Sequence, residues 1–177
     1  MRRKYGDEML VEVVQNRMHG HLLHMTDAAH LSTIETHGLL SARRALELGV
    51  APKYPGGNDL SRSLDASRGL DNAVFLSFFN SGLMPKHEDS RRRRPVILKI
   101  DARILYQPGV QVALGRANSA NTSIYKPAGA FYKMDWDVIF GDVDGSNVHE
   151  KARVIRVYDY EVLVPDQVPP EFILGIA

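Results

Sequence analysis

Short apolar blocks separated by long polar stretches are the feature that most constrains the fold of this chain. Four blocks are dense in β-branched, aromatic and other apolar residues and are predicted to be buried strands: Leu22–Met25, Ala73–Phe79, Pro95–Ile100 and Tyr160–Val164. Few of the connections between predicted strands have the periodicity of a crossover helix. The sequence therefore favours an α+β fold over a doubly wound α/β fold.

The remaining elements are predicted from caps and local periodicity. Asp27 is a suitable N-cap for a short helix that Gly38 would terminate, and Asp135 is suitable for a helix near Trp136–Phe140. Residues 8–18 satisfy neither a helical nor a strand period cleanly. Residues 49–72 are predicted to be a long loop with one helical turn, Val154–Val157 a strand, and the C-terminal segment a Pro-initiated turn and a last strand.

Composition limits the classes of protein to which the chain can belong. Its 177 residues fit one domain, expected to span 1–177. The absence of cysteine excludes disulfides, thiolate catalysis and the usual structural zinc sites, and no metal is expected. No apolar run approaches the length of a membrane span, so a cytoplasmic location without membrane association is expected. The formal net charge of +1 means that any basic surface must be local.

Four separated segments carry motifs in a fixed order. The first is a strand ending in His-x-Thr and followed by a helix and a glycine, and the second is an aromatic strand. The third combines an aromatic pair with a Trp-containing helix, and the fourth is a Glu-containing strand continued by Val-Pro. In this chain they are Leu23–Leu40, Val74–Phe78 with Leu83-Met84 after it, Gly129–Ile139, and Tyr160–Val164 with Val168-Pro169 and Phe172-Ile173. Together, in this order, they resemble the DarT family of toxin ADP-ribosyltransferases.

The resemblance implies a fold, a reaction and partners. The expected fold is ADP-ribosyltransferase-like, with a central split β-sheet core flanked by helices. The expected activity is NAD-dependent transfer of ADP-ribose to a nucleobase in DNA, with single-stranded DNA favoured, or in RNA, with release of nicotinamide. NAD is expected as a co-substrate, nucleic acid as the acceptor, and a separate macrodomain protein as the antitoxin.

Glu161 is the position that the resemblance assigns to the key carboxylate. Breaking the bond between nicotinamide and ribose passes through an oxocarbenium-like transition state. A carboxylate beside the ribose can bind its hydroxyls, stabilise the positive charge and accept a proton from the acceptor. Because side chains alternate along a strand, periodicity alone also allows Glu161 to face solvent on an edge strand.

The resemblance also implies residues that bind NAD. His24 on its strand is expected to contact the ribose or carboxamide, and Thr26 either shares this role or bonds the start of the helix. A diphosphate suits the planar fork of arginine, and Arg62, with a catalytic and NAD-binding role, is favoured over Arg68. Phe75 is the aromatic residue expected to stack on nicotinamide, although core packing is the alternative for such a ring.

The acceptor is expected to contact a different set of residues. The run Arg91, Arg92, Arg93 and Arg94 is the concentrated basic feature of the chain and could bind phosphates, or could be a solvated loop. Tyr132, with Tyr125 as a further candidate, could stack on a base.

Three other readings remain open at this level. Asp159 lies two positions before Glu161, a spacing typical of arginine-specific transferases, so a protein side chain is an alternative acceptor. An RNA 2′-phosphotransferase-like enzyme would share the fold and also consume NAD. A binding module without activity is the third alternative, which the presence of Glu161 and His24 disfavours.

Overall fold

The computed structural model describes residues 6–52, 59–80, 94–143 and 145–177, with residues 59–62 described by their backbone alone. The α-helices in these ranges are α1 (Gly6–Arg17), α2 (Leu31–His37), α3 (Ala42–Glu47), α4 (Asp59–Ser67), α5 (Pro127–Phe131), α6 (Trp136–Ile139) and α7 (Val148–Tyr158). The strands are β1 (His21–Asp27), β2 (Leu39–Leu40), β3 (Ala73–Ser77), β4 (Pro95–Asp101), β5 (Gln111–Ala113), β6 (Ile124–Tyr125), β7 (Glu161–Pro165), β8 (Gln167–Val168) and β9 (Ile173–Ile176).

Seven of these strands form one antiparallel sheet in the order β6-β5-β7-β3-β1-β4-β9. Strand β1 pairs with β4 along its whole length, and β3 pairs with β7 along its whole length. Between β1 and β3, in contrast, the described pairing is confined to Leu23 opposite Ser77. The sheet is therefore split between its two halves, as the expected α+β fold with a split central sheet requires.

The two faces of the sheet are unequally covered. Val74 and Leu76 of β3 and Val162 and Val164 of β7 point to one side, where they join the main core with buried residues of α1. The alternate positions point to the other side. A smaller cluster there contains Leu163, Ala113 and Ala117, with Phe75 packed against it. The thinly covered face is the one that carries Glu161.

The strands predicted from the four apolar blocks are confirmed as β1, β3, β4 and β7. The predicted cap at Asp135 is confirmed, because its side chain caps α6. Asp27 does cap a helix, but it is the 3₁₀ helix Ala28–His30, where it accepts a hydrogen bond from the Ala29 N–H; α2 itself begins after His30 without a side-chain cap. Gly38 ends α2 with φ +75°, and a Cβ at that position would meet the carbonyl oxygen of Val168. Only glycine fits this turn without displacing β8.

The predicted strand at Val154–Val157 is wrong, because these residues lie inside α7. Asn147 caps this helix and accepts a hydrogen bond from the Glu150 N–H at 3.0 Å. One buried residue, Val157, joins the helix to the main core, while Ile155 is exposed. The cap and this single anchoring position outweigh the preference of β-branched residues for strands.

Two further stretches are helical. Of the two alternatives for residues 8–18, a short helix or a strand, the helix is confirmed, because α1 covers most of them. Residues 49–72 contain α4, which is longer than the single turn predicted there. No helix within the described residues is long and apolar enough to cross a membrane.

Candidate active site

Glu161 is the first residue of β7 and lies beside the split in the sheet. Its register partners are Ser77 of β3 and Ala113 of β5, so all three side chains share the thinly covered face. Ser77 is also the residue where β3 meets β1. Glu161 therefore lies one strand away from the point at which the two halves of the sheet separate. The alternative in which Glu161 faces solvent on an edge strand is wrong, because β7 is an interior strand.

The carboxylate of Glu161 is largely buried and is held by one backbone hydrogen bond. Its Oε2 accepts from the Ala117 N–H at 2.7 Å. Burial raises the pKa of Glu161 to about 7, the negative charges of Asp159 and Asp65 add to the increase, and the Ala117 bond and Arg116 oppose it. A carboxyl group in this state can hold or accept a proton near neutral pH, which an ordinary exposed glutamate cannot do.

His24 faces the split from the β1 side. Its Nδ1 lies 2.9 Å from the carbonyl oxygen of Phe75 on β3. Because a carbonyl can only accept, Nδ1 carries the proton and Nε2 of the neutral ring is an acceptor. Burial lowers the pKa of His24, which favours this neutral form. The histidine bridges the two halves of the sheet at the level where the strands have ceased to pair.

Strand geometry relates this bond to Glu161. Phe75 and Ser77 are two residues apart on β3, and Glu161 is opposite Ser77. At about 3.3 Å per residue and roughly 5 Å between neighbouring strands, the backbones of Glu161 and Phe75 lie about 8 Å apart. The Phe75 carbonyl that His24 bonds is thus on the strand next to Glu161, two residues from the register partner of the glutamate.

Thr26 and Phe75 occupy the surroundings of this site. Thr26 lies two residues beyond His24 on β1, and its Oγ1 is 3.4 Å from the Nδ1 of His30. Phe75 packs on the small cluster beside Leu163, on the Glu161 face. The Phe75 ring therefore packs in a core, which is the alternative to stacking on nicotinamide. Its contact with nicotinamide stays a prediction.

The two candidate arginines both belong to the α4 region. The guanidinium of Arg68 donates to the carbonyl oxygens of Ser119, at 2.8 Å, and of Ala117, at 3.4 Å. These carbonyls lie in the same short loop whose Ala117 N–H bonds Glu161. Arg62 lies in α4, but its side chain is outside the described residues. The choice between the two for NAD binding stays a prediction.

The residues that follow β5 join α4 to Glu161, and sequence reasoning did not find them. Asp65 of α4 is hydrogen-bonded to the side chain of Asn118, next to Ala117. Arg116 donates to Asp159 at 3.1 Å. Residues 107–130 have weak periodicity and no motif, so no local signal indicated that this segment contacts the glutamate.

The candidate acceptor-binding residues are less fully described. Arg91, Arg92 and Arg93 lie outside the described residues, as do Leu83 and Met84. Arg94 is exposed, and its backbone N–H donates to the carboxylate of Asp27 at 2.8 Å. The basic tract therefore ends beside the C-terminus of β1.

The two tyrosines differ in exposure. Tyr132 follows α5 and is 67 % exposed, so its ring is available to a ligand. Tyr125 pairs with Val112 on the opposite face from Glu161 and packs on the main core. This position argues against contact between Tyr125 and an acceptor at Glu161.

A split antiparallel sheet, a largely buried glutamate beside the split and a neutral histidine bridging it agree with the ADP-ribosyltransferase fold and site that the sequence resemblance implies. The profile of one family, described as "ssDNA thymidine ADP-ribosyltransferase, DarT", matches residues 23–177. The chain belongs to the DarT family, and the resemblance found in its sequence is confirmed. Among curated proteins, none matches the chain.

Solved structures support the fold. DarTG of Thermosipho africanus in complex with ADP-ribose is 18 % identical with a TM-score of 0.61, and the match covers 86 % of this chain and 42 % of that one. DarT of Thermus sp. 2.9 in complex with ADP-ribosylated ssDNA is 12 % identical with a TM-score of 0.61. The same Thermus protein in complex with NAD⁺ is 12 % identical with a TM-score of 0.54. Both Thermus matches cover 86 % of this chain and 78 % of the Thermus chain. The chain thus spans less than half of the Thermosipho chain.

Proposed function

We propose that this protein transfers ADP-ribose from NAD to a thymine base in single-stranded DNA and releases nicotinamide. The observation that carries the proposal is Glu161, a largely buried carboxyl at the split of the sheet with its pKa raised to about 7. The family description and the complexes of Thermus DarT with NAD⁺ and with ADP-ribosylated ssDNA support the donor and the acceptor.

In the proposed reaction, the bond between ribose C1′ and the nicotinamide nitrogen breaks and nicotinamide leaves with the bonding electrons. A thymine in DNA has one ring N–H, at N3, and this nitrogen forms the new bond to C1′ while its proton passes to Glu161. A carboxylate with a pKa near 7 accepts this proton more readily than an ordinary glutamate would. Its negative charge also stabilises the positive charge that develops on the ribose.

The other residues bind and orient the donor. The unprotonated Nε2 of His24 accepts a hydrogen bond from a ribose hydroxyl or from the carboxamide of NAD. Arg68 or Arg62 pairs with the diphosphate. Thr26 and Phe75 complete the donor site, while Arg91–Arg94 and Tyr132 bind the DNA strand. Substituting Arg62 and Arg68 separately by Gln and measuring the KM for NAD tests which arginine binds the diphosphate, because the loss of paired hydrogen bonds raises KM.

The proposal extends to the cellular context. A toxin role with a separate macrodomain antitoxin that removes the mark follows from the sequence resemblance to the DarT family, and the similarity to a DarTG protein supports a toxin role. We further propose that residues 1–177 act as a single transferase domain in the cytoplasm, where chromosomal DNA is accessible.

Labelled NAD and four acceptors test the proposal. The acceptors are a mixed-sequence DNA strand, the same strand with every thymine replaced, 2′-phosphorylated RNA and an arginine-rich protein. We expect label on the thymine-containing strand, and Glu161→Gln should reduce the rate by about 10²–10⁴-fold.

The other acceptors identify the alternatives. Label on the arginine-rich protein would favour a protein side chain as the acceptor, the alternative based on Asp159. In the structure the Asp159 carboxylate pairs with Arg116, which argues against that role. Transfer of the RNA phosphate would favour the phosphotransferase reading. Consumption of NAD that is unaffected by Glu161→Gln would refute the role of Glu161.

A further inference from the structure

Asp65, on the last turn of α4, has a carboxylate oxygen without a hydrogen-bond partner in the described part of the chain. Its Oδ1 is buried and forms no hydrogen bond with any described residue. The side chain of Asn118 forms a hydrogen bond with the carboxyl group, yet burial raises the pKa of Asp65. A buried carboxylate oxygen without a donor is costly in a folded protein, and such atoms call for a physical explanation.

The surroundings of Asp65 lead directly to Glu161. Asn118 is adjacent to Ala117, whose N–H donates to Glu161 at 2.7 Å. Arg68, three residues after Asp65 and so on the same side of this helical segment, donates to the carbonyls of Ala117 and Ser119. Residues 117–119 thus hold α4 against the glutamate, and the two carboxyl groups are close enough for Asp65 to act electrostatically on Glu161.

We propose that Asp65 is the second carboxylate of the active site and accepts a hydrogen bond from a hydroxyl of the ribose that carries nicotinamide. The proposal rests on the function proposed above. That ribose presents two adjacent hydroxyl donors, and Glu161 can accept from one of them. Because Oδ1 is buried without NAD, the Asp65 side chain must turn when NAD binds, and its unpaired oxygen is then the acceptor that the second hydroxyl needs.

A purely structural role for Asp65 accounts for the Asn118 bond but not for the unpaired Oδ1. The two roles also differ in their consequences for stability. If Oδ1 serves to bind a ligand, its unpaired charge destabilises the NAD-free protein, and replacing Asp65 by a neutral residue stabilises the NAD-free protein. If Asp65 serves to hold the loop, its replacement destabilises the protein.

The test compares Asp65→Asn with Asp71→Asn. Asp71 lies six residues further along the chain and pairs with Arg43 at 2.7 Å. Its substitution removes one negative charge that acts on Asp65 but is not among those acting on Glu161, which are Asp159, Asp65 and Arg116. The measurements are the Tm without NAD, the KM and kcat for NAD in the DNA-labelling reaction, and the dependence of kcat on pH.

For Asp65→Asn we expect a higher Tm without NAD and a KM for NAD raised about tenfold. We also expect the acid limb of the kcat profile to move to lower pH, because Glu161 loses a negative neighbour that favours its protonated form. Asp71→Asn should leave the KM and the acid limb unchanged.

Three results would overturn the proposal: an unchanged KM and acid limb in Asp65→Asn, equal changes in Asp71→Asn, or loss of folding in Asp65→Asn. Failure of the proposed function would be distinguishable, because the wild-type protein would then not label DNA at all.

Discussion

Replacing Glu161 by Gln is expected to stabilise the NAD-free protein, and increasingly so as the pH rises. The pKa of this carboxyl is raised from 4.5 to about 7, so the folded state binds its proton more tightly than the unfolded state. Stability is therefore lost as the pH rises from about 4.5 through about 7. At about 1.4 kcal/mol per pKa unit, the charged carboxylate costs roughly 3 kcal/mol at pH 8 and about 1 kcal/mol at pH 5. A glutamine keeps an oxygen for the Ala117 N–H and has no such cost.

Urea denaturation of the wild type and of Glu161→Gln at pH 5, 6, 7 and 8 measures this effect. The free energy of unfolding of the variant should exceed that of the wild type by roughly 3 kcal/mol at pH 8, with the difference shrinking to about 1 kcal/mol at pH 5. In thermal melts, 3 kcal/mol corresponds to roughly 6–12 °C. Titration of His24 contributes equally to both proteins and cancels in the difference. A variant that is less stable than the wild type, or a difference that does not change with pH, would refute the reasoning.

Three further substitutions test the fold around the site. His24→Ala leaves the Phe75 carbonyl without its donor and should lower the free energy of unfolding by about 1–3 kcal/mol and raise the KM for NAD, both measurable on the purified variant. Asn147→Ala removes the cap of α7 and should cost about 1 kcal/mol in urea denaturation, with the KM for NAD unchanged. Gly38→Ala forces a side chain against the Val168 carbonyl at positive φ and should lower the Tm more than Asn147→Ala does.

The strands of the central sheet could be predicted from the sequence because each is a dense apolar block bounded by polar residues. Their order could not, because it depends on contacts between distant segments. β7, near the C-terminus, lies between β3 and β5, and nothing local in Tyr160–Val164 specifies those neighbours. The error at α7 has a local cause. Asn147 followed by Glu150 is a capping pattern, and the β-branched residues after it misled the assignment.

The residues of the candidate active site that lie in recognisable motifs could be predicted from the sequence, and the others could not. Glu161 and His24 stand on predicted strands within segments that resemble one family, and in the fold both neighbour β3, Glu161 through its register partner Ser77 and His24 through the Phe75 carbonyl. Asp65, Arg116 and Asn118 lie in tracts rich in small and polar residues, where no periodicity distinguishes a contact from a loop. Their position near Glu161 depends on tertiary contacts, in which α4 and residues 116–119 pack on the Glu161 face.

On β3 and β7, the residues that build the main core and the residues that surround Glu161 point to opposite faces of the sheet. Val162 and Val164 point into the main core, while Glu161 lies on the face where Leu163 joins a cluster of small residues. The large core can therefore offset the free energy lost by burying a carboxylate that ionises near neutral pH. Burial is also what raises the proton affinity of Glu161, so the destabilisation and the basicity have one physical origin. Substitutions that stabilise the Glu161 face are for this reason expected to lower the proposed ADP-ribose transfer activity, whereas substitutions that fill the main core should not.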